Sequence, residues 1–298
     1  MPEGHTIHRL ALDHVRDLAR QPLQVSSPQG RAVETARVLD GRAFAKVDAY
    51  GKHLLYRFED ELTLHVHLGL FGKFRRQASP PEPPVGEKRL RMVGDRWTVD
   101  LSGAVACALI EPDEEEALLA RLGPDPLRRD ADPERFVAAL RRRSIPIGAA
   151  IMDQKVIAGI GNVFRAEALH VDGIDPLLPA RELGDERARV LWRTMAKMLA
   201  DGVRERRIVT IRDARDKPVT AGRAPKGEGP RTRADRVRHK TVHVYRRRDC
   251  HDCGGPVETY PMAGRTVYTC PACQPAGSAG PSPTPALADG PAPTLDLG

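Results

Sequence analysis

Cys250-His251-Asp252-Cys253 and Cys270-Pro271-Ala272-Cys273 place four thiols as two Cys-x2-Cys pairs separated by sixteen residues. That spacing closes a tetrahedral zinc site. Two disulfides are the alternative. The first twenty residues, however, carry His5, His8, Arg9, Asp13, Arg16 and Asp17 where a secretory signal needs an apolar core. The N-terminus is therefore expected to stay with the mature chain, in a reducing compartment that favours metal over disulfide. One structural Zn2+ held by Cys250, Cys253, Cys270 and Cys273 is the expectation. Four sulfurs leave no open coordination position, so the chemistry must lie elsewhere. Between the pairs, residues 257–260 and 266–269 are expected to pair as strands around a tip at Met262-Ala263-Gly264. Arg265 then stands beside the tip, where a guanidinium either forks onto a phosphate or is simply solvated.

Upstream lies Gln154-Lys155-Val156-Ile157-Ala158-Gly159-Ile160-Gly161-Asn162-Val163-Phe164-Arg165-Ala166-Glu167. Its glycines allow a tight turn between helices. Asn162 precedes a new helix whose unpaired N–H groups can receive a phosphate, although an ordinary Asn cap reads the same way. Asp132 and Pro133 start another helix, with Phe136, Val137 and Leu140 as its apolar stripe. A longer one runs through Leu191, Met195, Met198 and Leu199. Nearer the N-terminus the period falls to two: Leu54, Tyr56, Phe58; Leu62, Leu64, Val66, Leu68; Trp97, Val99, Leu101; then a short apolar strand over 104–110 that buries Cys107. These strands predict a sandwich or barrel of about a hundred residues. Ahead of them, Ile7, Leu10, Ala11, His14, Val15 and Leu18 mark an amphipathic helix over 3–19.

The 298 residues suit roughly two domains. With 41% hydrophobic and 29% charged residues the chain is expected to fold, and no charge-free run approaches a membrane span. The net charge of +7 is local: residues 203–248 hold sixteen Lys or Arg against five Asp or Glu, which leaves the remainder near −4. Such a block is ordinarily solvated chain, and becomes a polyanion contact when flanking modules hold it against a backbone. The expected fold is α+β and multidomain. It has an N-terminal β-sandwich with a leading helix over 1–113, an interdomain linker over 114–131 and a helix-two-turn-helix domain over 132–205. A basic mobile loop over 206–240, a four-cysteine zinc-finger β-hairpin over 241–274 and a disordered Pro/Ala-rich tail over 275–298 complete it.

Residues 1 to about 274 resemble the formamidopyrimidine-DNA glycosylase and endonuclease VIII family of DNA-repair enzymes. The resemblance rests on Met1-Pro2-Glu3-Gly4, Gly51-Lys52, His67-Leu68-Gly69, Gly159-Ile160-Gly161-Asn162, Gly264-Arg265-Thr266 and the closing Cys270-Pro271-Ala272-Cys273-Gln274. It implies that Met1 is removed and that the Pro2 nitrogen attacks the sugar C1′ of a damaged nucleotide, giving an iminium that drives β- and then δ-elimination. An α-amine, with its pKa of about 7.7–8.0, has a useful neutral fraction, and the positive end of a helix favours that form. Glu3 is implied as general acid and base, against the plainer role of an acid in a first helical turn. Lys52 is implied to hold a phosphate near the lesion. A target base must leave the stack, and Leu70 and Phe71 between two glycines suit the wedge that fills its place. Asn162 and Arg265 complete the implied DNA contacts.

The chain also departs from the family. Thr6 stands where the family often has a second acid, and residues 101–106 lack the arginine of the 8-oxoguanine-directed branch. The expectation is therefore a bifunctional glycosylase and AP lyase of base excision repair that favours oxidised pyrimidines in damaged duplex or single-stranded DNA. It is expected to be monomeric, away from membranes, in a bacterial cytoplasm at the nucleoid. A non-catalytic lesion-sensing relative and a purine-directed glycosylase are the alternatives.

Overall fold

Gly4–Leu18 forms α1 because Ile7, Ala11, His14 and Leu18 return to one face every three or four residues and are buried there. Glu3 caps it through its backbone: its φ of −121° is extended, and its carbonyl accepts the N–H groups of Thr6 (2.9 Å) and Ile7 (3.3 Å). The computed structural model describes residues 2–59, 61–211 and 241–281, and α1 opens the first of two units, which reaches Leu122.

That unit continues through β1 (Gln24–Ser26), α2 (Val33–Leu39), β2 (Phe44–Tyr50), β3 (His53–Phe58), β4 (Thr63–His67), β5 (Lys73–Ala78), β6 (Leu90–Val93), β7 (Trp97–Ser102), β8 (Ala106–Ile110) and α3 (Pro112–Ala120). Two antiparallel four-stranded sheets result, ordered β1-β6-β7-β5 and β2-β3-β4-β8. The alternation read from sequence helps fill one core: Leu54, Tyr56, Leu64 and Val66 of one sheet cluster with Val99 and Leu101 of the other, joined by Leu90 and Met92 of β6 and by Ile7, Ala11 and Leu18 of α1. Cys107 is buried in the same cluster, and burial pushes its thiol up to about 11, as suits an inert core residue. Arg91 and Asp100 pair within the sheet, both buried.

The second unit begins at Gly123. It contains α4 (Pro133–Arg141), α5 (Ile147–Ala150), α6 (Asn162–Val171) and α7 (Asp185–Glu205), followed by the hairpin strands β9 (Glu258–Met262) and β10 (Arg265–Thr269). Asp132 caps α4 by accepting the Glu134 N–H at 2.9 Å, with Pro133 in the first turn, and Phe136 packs 5.7 Å from Trp192 of α7.

Several boundaries differ from expectation. The linker expected over 114–131 starts inside α3, whose Pro and acidic first turn, with a capping box between Glu111 and Glu114, suffice for a helix with no buried side chain. Of the loop expected over 206–240, residues 206–211 are described, and Val209, Thr210 and Ile211 are buried; the rest lies outside the described residues. The alternation after Thr241 makes no strand, because the N–H groups of His243, Val244 and Tyr245 are drawn to the buried Glu167 carboxylate instead of a ladder. The tail expected to be disordered from 275 is tied down as far as 281: Asp175 accepts the Gly277 N–H (2.7 Å) and Arg187 donates to the Ala279 carbonyl (2.7 Å). Residues 282–298 lie outside the described set. Among the described residues no helix is long and apolar enough to cross a membrane.

Candidate active site

Register alone gathers the first unit's candidate residues. The Arg20 N–H donates to the Phe44 carbonyl at 2.9 Å, so α1 ends where β2 begins. Six residues earlier, His14 meets Tyr56, which pairs with Val47, three residues along β2. Rises of about 1.5 Å per helical residue and about 3.3 Å per strand residue keep these two advances in step. The helix therefore runs antiparallel to β2 and brings Pro2 and Glu3 to the end of the sheet where Tyr50 turns through Gly51 and Lys52 into His53. Gly51 has φ +56°, the left-handed conformation a two-residue hairpin turn requires. His53 pairs with His67, and His67 with Ala106, so the loop carrying Leu70 and Phe71 and the short loop before β8 leave from the same end.

Glu3 is completely buried and makes no side-chain capping bond; Pro2 and Lys52 are half-buried. Leu70 is 42% exposed and Phe71 81%, far from the core role that an apolar pair after a strand suggests. Their loop is held from below. Gly69 has φ +64° and Gly72 donates its N–H to the Leu68 carbonyl at 2.9 Å; a Cβ at Gly72 would strike that carbonyl, and one at Gly69 would strike Val105. Val105 is 70% exposed beside this loop. Sequence reading placed it inside an apolar strand, and only the position of Gly103 (φ +63°) hints that the chain turns there.

Three imidazoles line the sheet beside Lys52. His53 Nδ1 lies 2.9 Å from His65 Nε2, and the rings of His53 and His67 are 4.7 Å apart. Burial, then its neighbours His67, His65 and Lys52, bring His53 down to about 3; burial and His67 bring His65 down to about 4. All are lowered and so neutral at ordinary pH, and the positive charge acting on His53 from outside the imidazoles is that of Lys52 and Arg121.

In the second unit, Gln154 staples the glycine turn: its amide accepts the Gly159 N–H and donates to the Ile160 carbonyl, each at 3.0 Å. Gly159 adopts φ +94°. Gly161, not Asn162, is the N-cap of α6; Asn162 is the first helical residue. Its side chain points out of the helix instead, donating from Nδ2 to the Thr266 carbonyl on β10 at 3.0 Å. Arg165, 1% exposed, donates to Asn162 Oδ1 and to the same Thr266 carbonyl (3.0 Å). Asn162 is thereby locked to the hairpin that bears exposed Arg265. That hairpin turns at Ala263 (φ +51°) and Gly264 (φ +68°), a type I′ turn. Arg165 escaped sequence reading because a lone Arg in an amphipathic helix resembles a solvated one.

The four cysteines converge. Cys253 and Cys270 sulfurs are 3.5 Å apart and Cys250 and Cys273 3.9 Å, too far for disulfides near 2.0 Å and suited to a shared tetrahedral ion. Burial and the neighbouring thiols push Cys273 upward, since no further thiolate is welcome among four without a cation. The site is braced by Gln274, which accepts the Cys270 N–H (3.1 Å) and donates to the Ile174 carbonyl (2.8 Å).

Comparison with known proteins agrees with this layout. Residues 1–104 match the formamidopyrimidine-DNA glycosylase N-terminal domain and residues 122–213 the formamidopyrimidine-DNA glycosylase H2TH domain. Endonuclease 8 1 of Mycobacterium tuberculosis is 41% identical over 280 residues, covering 92% of this chain and all of that one. The formamidopyrimidine-DNA glycosylase of Thermus thermophilus is 33% identical, covering 80% of this chain and 85% of its own. Among solved structures, the Lactococcus lactis Fpg in complex with DNA containing an abasic site shares the fold, with a TM-score of 0.74 at 20% identity over 91% of this chain and 99% of that one. The chain belongs to the formamidopyrimidine-DNA glycosylase and endonuclease 8 family of DNA-repair glycosylases.

Proposed function

We propose that the chain is a bifunctional DNA glycosylase and AP lyase that favours oxidised pyrimidines, with the Pro2 nitrogen, freed by removal of Met1, as nucleophile. The observation that carries this reading is the shared sheet end: Pro2 and Glu3, the Lys52 turn and the Leu70–Phe71 loop leave the fold side by side. A non-catalytic DNA binder needs no such grouping.

The neutral amine attacks C1′. The glycosidic bond breaks, the base departs with a proton and the nitrogen loses its own; the C1′–O4′ bond then opens as the ring oxygen takes a proton, leaving an iminium because a secondary amine cannot form a neutral imine. Buried Glu3 moves protons at the sugar ring oxygen. The iminium acidifies C2′, so a base takes a C2′ proton and the freed electron pair expels the 3′ phosphate; a second elimination expels the 5′ phosphate. Lys52 holds a phosphate beside the flipped sugar, while Leu70 and Phe71 fill the gap in the duplex. Asn162 has a second amide hydrogen after its bond to Thr266, and Arg265 has free donors at the hairpin tip; together they position the backbone. Cys250, Cys253, Cys270 and Cys273 would hold Zn2+, which supplies a fold constraint to the hairpin and no chemistry.

The pyrimidine preference is supported by the loop between β7 and β8, reduced to Gly103-Ala104-Val105 with no arginine to read the orphaned base. Incision of duplexes carrying thymine glycol, 5-hydroxyuracil or 8-oxoguanine tests the reading. Faster cutting at both pyrimidines is expected; a clear 8-oxoguanine preference would reverse it, and no cutting with retained binding would favour the non-catalytic alternative.

A further inference from the structure

A second set of metal-type donors stands beside the four cysteines. His170 on α6, His243 in the segment after Thr241, and Asp252 between the first two cysteines bring Nε2, Nδ1 and a carboxylate oxygen within 4.8 Å of one another. Asp252 Oδ2 is 2.8 Å from His170 Nε2, and its Oδ1 is 2.8 Å from His243 Nδ1. The rings stand 5.3 Å apart. The His170 side chain is 1% exposed, that of His243 14% and that of Asp252 43%, so the nitrogens form an inner wall and the carboxylate the mouth.

Each donor is held by contacts outside the cluster. α6 packs on α7 and β10. Glu167 accepts the backbone N–H groups of Val244 (3.0 Å) and Tyr245 (2.9 Å), which fixes His243. Asp252 is fixed by the knuckle it belongs to, where the Gly254 N–H bonds the Cys250 carbonyl at 3.1 Å. The three side chains therefore converge without needing an ion of their own, beyond one in the cysteine site, to order them, and such pre-organisation lowers the cost of binding one.

We propose that His170, His243 and Asp252 form a second metal site adjoining the four cysteines, with His170 Nε2 3.8 Å from Cys250 Sγ. Two imidazoles and one carboxylate, open to water on one side, suit a borderline divalent cation such as Zn2+, Co2+ or Fe2+. Each imidazole ligates through the nitrogen that now faces Asp252, with its remaining proton on the other. Unlike a closed site of four thiolates, this one keeps water in its sphere and exchanges its ion. The assignment does not depend on the glycosylase reading. The competing account is a metal-free brace in which both histidines hydrogen-bond Asp252.

Equilibrium dialysis of the full, untagged chain against buffered Co2+, with metal counted per chain and absorption recorded, separates them. The expected result is two ions per chain: one with intense thiolate-to-cobalt bands and one with only weak ligand-field bands. His243→Gln and Asp252→Asn should each remove the second ion and keep the thiolate bands, which also report that the cysteine site still folds. One ion per wild-type chain with thiolate bands, or two ions undiminished in both variants, would overturn the proposal. Should either variant lose the thiolate bands, the wild-type count decides. A single ion without thiolate bands that vanishes in His243→Gln would uphold this site and sink the cysteine one.

Discussion

His14 Nδ1 lies 2.6 Å from the Tyr56 hydroxyl, with both side chains buried. The bond sets how far α1 slides along β3 and hence where Pro2 and Glu3 stand at the sheet end. Tyr56→Phe leaves the buried imidazole without this partner and should cost about 1–3 kcal/mol of stability. Denaturant titration of the variant checks the loss, and single-turnover base excision should slow with it.

Acid should weaken the first unit through its histidines. Burial brings His14 down to about 4 and His65 to about 4, and burial, then its neighbours His67, His65, Lys52 and Arg121, brings His53 to about 3. Each is depressed in the fold relative to 6.5, so the unfolded chain binds more protons between those values. The contribution is fully present above about pH 6.5 and is lost as pH falls through about 4, with about 3 kcal/mol from His14 alone. Urea midpoints measured from pH 7 to pH 4 should fall, and His14→Gln should flatten the slope.

Phe71 is 81% exposed and contributes little to the core. Phe71→Ala should leave stability within about 0.5 kcal/mol. Excision from duplex DNA should drop at least about tenfold, since a few kcal/mol of unstacking goes uncompensated, while single-stranded substrate should be cut nearly as before. Equal losses on both substrates would assign Phe71 another task.

If the four cysteines hold zinc as proposed, Cys273→Ser or a strong chelator should release it and loosen the hairpin that carries Arg265 and the Thr266 carbonyl to which Asn162 bonds. DNA affinity is expected to fall about tenfold or more, roughly 1.4 kcal/mol. Limited proteolysis should open residues 241–281 while the first unit stays resistant. An intact hairpin after complete metal loss would contradict the assigned role.

The sandwich was legible because period-two runs such as Leu54-Tyr56-Phe58 supply the face that fills the core, and the cysteine spacing because four ligands at fixed intervals have few other uses. Asn162 was legible as a helix start, yet its bond to Thr266 spans 104 residues and no local pattern carries it. Val105 and Arg165 were missed for the opposite reason: each has the residue type its neighbourhood leads one to expect, an apolar residue in a strand and a charge on a helix, and only the fold reverses their exposure. The ordered residues 275–281 were missed because Pro- and Gly-rich chain has little to bury, and here it is held by hydrogen bonds to Asp175 and Arg187 instead.

The most direct test of Pro2 as nucleophile is peptide mapping of the protein–DNA adduct trapped by borohydride on abasic DNA. Attack by Pro2 places the reduced sugar on the peptide that begins at Pro2, with Met1 absent. An adduct mapped to Lys52 or any other lysine, or an active adduct still carrying Met1, would contradict it.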